Sequence, residues 1–132
     1  LAAFEARLNG DNEKALLCID SAFSYCPTKN FQRASEVAFD KIFMLADIYE
    51  EKQEYEKGIQ RLENLPMWRG YHESKGYATY RLTQLYEKSG VIDKALAKCN
   101  LFLRNYKDCD EKYRPWWNEV AERQKRLINK IN

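Results

Sequence analysis

The stretch Ala78–Leu103, ATYRLTQLYEKSGVIDKALAKCNLFL, reads as two amphipathic helices joined by a tight turn at Ser89-Gly90. Leu82, Leu85 and Tyr86 recur at intervals of three and four, which places them on one apolar helical face. Gly90 stands where the first helix must stop, because glycine alone takes a left-handed backbone without a steric penalty. Beyond it Ile92, Ala95, Leu96, Cys99 and Leu103 mark a second stripe, and the small Ala95 allows the two helices a close approach. The spacing predicts a first helix from near Gly70 to Ser89 and a second from Ile92 to about Asn105.

Leu82, Tyr86, Gly90, Ile92 and Ala95, in that order and spacing, resemble the core signature of a tetratricopeptide repeat. Other parts of the chain carry partial copies. In LAAFEARLNGDNEKALLCIDSAFSYCP, Gly10 precedes Ala15 as Gly90 precedes Ala95, Asp11 is a candidate helix cap, and Pro27 closes the unit. In VAFDKIFMLADIYEEKQEYEKGIQRLENLP, Leu45, Ala46, Tyr49, Tyr55, Gly58, Ile59 and Leu62 follow the family order, with Gln53 in place of the turn glycine. Ala15 and Gly58 lie 43 positions apart, against a family period of about 34. The excess predicts an overlong helix from roughly Phe31 to Lys52, a segment that no glycine or proline interrupts. The closing segment differs from a repeat. Pro115 suits the first turn of a helix, and Trp116, Val120, Leu127 and Ile131 form a stripe interrupted by Arg123. A solitary terminal helix is how such stacks cover their exposed apolar end.

The resemblance therefore implies an all-α fold: an α-α superhelix of about three helix pairs and a capping helix. Its units would be residues 1–28 (a first helix cut short), 31–66, 70–106 and a cap over 112–131, forming one domain across 1–132. The order FLRNYKDCDEKYRPWWNEVAERQKRL is similar to the end of many bacterial tetratricopeptide proteins, including scaffold or sensor regions attached to kinases and cyclases. That similarity, with a chain that begins at Leu1 inside a helical pattern, implies a piece of a longer parent.

Composition narrows the function. Of 132 residues, 45% are hydrophobic and 32% charged, an ordinary globular balance, and no apolar run approaches the ~20 residues of a membrane span. The net charge of +2 is too small to drive non-specific nucleic-acid binding. Charge is nonetheless uneven: seven acids face two lysines between Glu36 and Glu56, while Arg123, Lys125, Arg126 and Lys130 make the final helix basic. Cys18, Cys26, Cys99 and Cys109 lack CxxC spacing and His72 is the one histidine, so no metal or cofactor site is expected. Cys18 and Cys99 fall on apolar stripes as core residues, a disulfide at Cys26 or Cys109 stays open, and a reduced, cytoplasmic setting is expected. No phosphate loop, HExxH or nucleophile with a histidine partner is present, so no catalytic residue is expected.

In the resembled family the first helix of each unit lines a concave groove that captures a peptide or a partner's helix. The expected function is thus a non-catalytic protein-interaction module with a protein or peptide partner. With Ala78, Leu82, Leu85 and Tyr86 turned to the core, the phase of the helix turns Tyr77, Tyr80, Arg81, Gln84 and Lys88 toward that groove. The matching positions of the preceding copy include Phe43 and Asp47. Tyrosine and arginine are frequent binding anchors, which singles out Tyr80 and Arg81, with Gln84, Tyr77, Phe43 and Asp47 beside them. The competing expectations are inter-repeat packing for Phe43 and Tyr77, and for Arg81 a salt bridge to Asp47 or Glu51. A family clamp for a chaperone's terminal carboxylate is not matched: Met44 and Phe4 replace its asparagines, Tyr77 a lysine, and Asp47 would repel the carboxylate. The alternative function is a structural or self-associating segment of a larger signalling protein. It rests on the missing start, the capping helix and Trp117, which cannot share the centre of the stripe of Trp116 and is a candidate homodimer contact.

Overall fold

A computed structural model describes residues 31–64 and 72–132, and every described element is helical. The unit at 1–28, with Phe4, Cys18, Cys26 and Pro27, lies outside the described residues, as does Pro66. The helices are α1 (Phe31–Glu51), α2 (Tyr55–Glu63), α3 (His72–Ser89), α4 (Ile92–Asn105) and, after a 3-10 turn at Glu111–Tyr113, α5 (Arg114–Ile131). No described helix is long and apolar enough to cross a membrane.

The two short turns close by the same backbone device. Gly90 takes φ +80°, its N–H donates to Glu87 O (3.1 Å), and the N–H of Val91 donates to Tyr86 O (3.0 Å). This is a Schellman closure, which satisfies carbonyls that the helix end would otherwise leave open. Gln53 repeats it at φ 60°, with its N–H on Glu50 O (3.0 Å) and that of Glu54 on Tyr49 O (2.8 Å). The same turn geometry thus forms at Gln53 without a glycine, at the cost of a side chain in the left-handed region. At the other end of the chain α5 begins at Arg114, with Pro115 in its first turn, where a missing N–H costs nothing.

Each helix packs on the next in sequence, and α1 also touches α3 while α3 touches α5. The centre is α3. From Gly76 to Tyr86 only Tyr77 and Gln84 remain even half-exposed, so α3 is enclosed on nearly every side. Leu45, Ile48, Leu85, Cys99, Val120 and Leu127 are fully buried, each aliphatic among them supplying about 1.5–3 kcal/mol of transfer free energy. At Gly58 the approach of α2 leaves room for little more than a methyl group: a Cβ would lie 3.4 Å from Leu85 Cδ1 and 3.6 Å from Ala46 O. Tyr86, buried by its ring, donates its hydroxyl to Glu63 (3.0 Å), and Lys98 pairs with the same carboxylate (3.1 Å). That joins α2, α3 and α4. The stripe expected on α5 is corrected at its end: Val120 and Leu127 are buried, but Ile131 is 54% exposed.

Candidate functional site

The face of α3 that carries Tyr77, Tyr80, Arg81 and Gln84 lies between α1 and α5. An aromatic ladder crosses it. Phe43 of α1 meets Tyr77 edge-on at 4.7 Å, Tyr77 meets Trp116 of α5 at 5.6 Å, and Trp116 stacks on Tyr80 at 5.2 Å. Trp116 continues to Tyr113 at 5.5 Å, and Tyr80 reaches Phe102 at 6.2 Å. Centroid separations of this size are those at which aromatic pairs attract beyond their buried area.

A polar network runs beside the ladder. Arg81 pairs with Asp47 (2.9 Å) and Glu50 (2.8 Å) of α1 and donates to Gln84. Lys88 shares Glu50 at 2.9 Å. The Tyr80 hydroxyl donates to Glu119 of α5, and Gln84 donates to that hydroxyl (3.2 Å) and to Glu119 (3.4 Å). Arg123 then binds Glu119 (3.1 Å), Glu87 (3.2 Å) and Thr83 Oγ1 (3.2 Å), and Arg126 adds a contact to Glu87 at 3.1 Å. Burial and the adjacent Glu119 carboxylate push the Tyr80 phenol up to about 12. Burial raises the carboxyls of Glu50, Glu87 and Glu119, but hydrogen bonds and the neighbouring cations outweigh it and hold all three below the usual range.

The structure therefore divides the residues singled out by sequence. Tyr80 and Arg81, expected on the open face, are each 8% exposed, because α5 lays Trp116 and Glu119 over one and α1 brings acids to the other. Phe43, Tyr77, Asp47 and Gln84 stay half-exposed and border them. Of the alternatives Asp47 or Glu51 for the Arg81 salt bridge, Asp47 forms it, and Glu50 is a further partner. Trp117 is half-buried: its indole N–H donates to Leu103 O (3.2 Å), and the Arg114 guanidinium lies 5.4 Å from its ring.

Glu87, Glu119 and Arg123 were not singled out as site residues by sequence. A signal existed for Arg123, which interrupts an apolar stripe, since a guanidinium in core phase requires carboxylate partners. Glu119 lies one turn before it and supplies one of them. Among the described residues no group of three or more His, Cys, Asp or Glu could hold a metal ion. Cys99 is buried and free, and burial pushes its thiol up to about 11.

No family model, curated protein or solved structure matches this chain.

Proposed function

We propose that the chain is a non-catalytic protein-interaction module, a tetratricopeptide-like stack that receives a peptide or partner helix along the face shared by α1, α3 and α5. The observation that carries this reading is the half-exposed ladder Phe43–Tyr77–Trp116, which spans three helices and is bordered by Asp47 and Gln84. Large rings held rigid by packing lose little freedom on binding and offer apolar area beside hydrogen-bonding groups. Arg81 and Tyr80 beneath them act as positioning residues, fixing Asp47 and Gln84 through direct contacts. The stacking of α1 on α3 and α3 on α5 supports a repeat-like arrangement in which first helices line one side.

The test is affinity capture from the parent organism's lysate with the wild type, Phe43→Ala/Tyr77→Ala, and Asp93→Asn on the exposed first turn of α4. The ladder variant, shown folded by circular dichroism, should lose specific partners that the α4 variant retains. Equal recovery by all three would remove this face from the function.

A further inference from the structure

The ladder ends at a cavity of about 300 Å³ formed between the start of α3 and the stretch from Phe102 to Trp116. Its walls are aromatic: Tyr77 from α3, Phe102 from α4, Tyr106 just past the end of α4, Tyr113 from the 3-10 turn and Trp116 from α5. Its rim carries Asp108 and Asp110. We propose that this cavity binds an alkylated ammonium group.

Three features carry the proposal. The first is a half-open cavity lined by rings. Phe102 and Tyr106 lie 5.0 Å apart, Tyr113 and Trp116 5.5 Å, and Tyr77 and Trp116 5.6 Å, so five neighbouring aromatic side chains border one space. A cation within about 6 Å of such centroids is attracted by the ring quadrupoles. The second is a backbone made for it. A Cβ on Gly76 would stand 3.1 Å from Tyr106 Cζ, so the absence of a side chain there is what lets the Tyr106 ring settle against α3. Arg114 pins the rim by donating to the carbonyls of Lys107 (3.1 Å) and Cys109 (3.5 Å). The third is charge. Asp108 and Asp110 line the cavity, are exposed and form no salt bridge among the described residues, so both carboxylates are available at the mouth to a bound cation. The region already attracts a cation: the Lys112 ammonium lies 4.8 Å from the Tyr113 centroid without lining the cavity.

The chemistry of the walls selects among cations. An unmodified ammonium carries three N–H donors and a tight hydration shell, and ring faces return little for removing it. Alkylation removes donors and spreads the charge over methyl groups, which suits aromatic walls and leaves the carboxylates to act from the rim. A neutral apolar group of the same shape would gain the walls but nothing from Asp108 and Asp110. The volume lies at the small end of ligand pockets, in keeping with a headgroup-sized occupant. The cavity shares Tyr77 and Trp116 with the proposed binding face but not Phe43, Asp47 or Gln84, and titration with small cations reads it independently of partner capture.

Titration of the full chain with choline, its uncharged isostere 3,3-dimethyl-1-butanol, and a short peptide bearing trimethyllysine tests it, read by tryptophan fluorescence and by indole N–H resonances. Choline or the peptide should bind at least about tenfold more tightly than the neutral alcohol, the factor that about 1.4 kcal/mol of cation-specific attraction produces. Whichever of the two binds better identifies the source as a free quaternary amine or a modified side chain. Tyr113→Leu should weaken the charged probes about tenfold, and Asp108→Asn/Asp110→Asn several-fold, more at low salt than at high. The Asp pair is solvent-exposed, so its replacement leaves the fold intact if Tyr113→Leu does not. Equal binding of choline and its neutral isostere, no binding of either charged probe, or no effect of the rim substitutions would overturn the proposal.

Discussion

Replacing Arg123 by leucine isolates a buried polar junction between α3 and α5. The Arg123 side chain is 7% exposed and holds Glu87, Glu119 and Thr83 in three directions, joining α5 to α3. Removing one partner of a fully enclosed ion pair costs ~3–5 kcal/mol, because the other charge is stranded. Here the stranding is partial. Glu87 keeps Arg126, and Glu119, 40% exposed, keeps Tyr80, Gln84 and water. Leucine also recovers some apolar packing beside Val120 and Leu127. The expected loss is therefore about 2–3 kcal/mol at neutral pH, near the lower limit for a buried pair. Arg123→Lys should lose about half as much, since an ammonium cannot satisfy three diverging acceptors as a planar fork does.

The pH dependence distinguishes charge from shape. Glu87 and Glu119 have folded pKa values below their ordinary 4.5: burial opposes the shift, but the hydrogen bonds and charges of Arg126 and Arg123 on Glu87, and of Tyr80 and Arg123 on Glu119, outweigh it. A carboxyl with a depressed folded pKa contributes stability that is complete above its unfolded pKa and is lost as pH falls through the folded one. The difference between wild type and Arg123→Leu should thus be full at neutral pH and shrink as pH drops below about 4.5, where protonation removes the partners from both proteins. Urea unfolding followed by far-ultraviolet circular dichroism across that range measures it. An Arg123→Leu protein as stable as wild type at neutral pH, or a difference that is the same in acid, would refute the electrostatic account.

Further predictions concern backbone, packing and thiols. Gly90→Ala should cost about 1–2 kcal/mol through its φ of +80° alone, since nothing lies within 4 Å of the added Cβ, and Gln53→Gly should gain a few tenths to about 1 kcal/mol by relieving φ 60°. Thermal unfolding compares the two, and equal sensitivity to both would sink the strain argument. Gly58→Ala should stabilise α2 by about 0.5–1 kcal/mol, because its Cβ meets Leu85 Cδ1 at an ordinary 3.4 Å while helix propensity improves. Gly58→Leu should instead cost more than about 2 kcal/mol by overpacking against α1 and α3, which chemical denaturation would show. Cys99, buried with its thiol pushed up to about 11, should react with a thiol reagent at the rate of local opening, while half-exposed Cys109 reacts before it. Mass spectrometry of the two labelled peptides decides between them.

Helical periodicity carried the local architecture into the sequence. Gly90 marked the α3–α4 turn, Ile92–Asn105 was legible as one helix, and the uninterrupted run after Phe31 announced the long α1. Periodicity states which residues share a face, since that depends only on residues per turn. It does not state what covers the face. Tyr80 and Arg81 had the phase of an open surface, and α5 and α1 enclose them through contacts 34 to 39 residues away in the chain. The same holds for the aromatic cavity, whose Tyr77, Tyr106, Asp108 and Trp116 share no spacing rule. Arg123 lay between these cases: its place on an apolar stripe signalled burial, but the identity of Glu87 as its partner required the packing of α5 on α3. The sequence alone determined that the described residues form helices, where those helices turn and most of their apolar stripes, because these depend on neighbours within one helical turn. Only the tertiary structure decided which polar residues are buried together and where a cavity opens, because both depend on how separate helices approach one another.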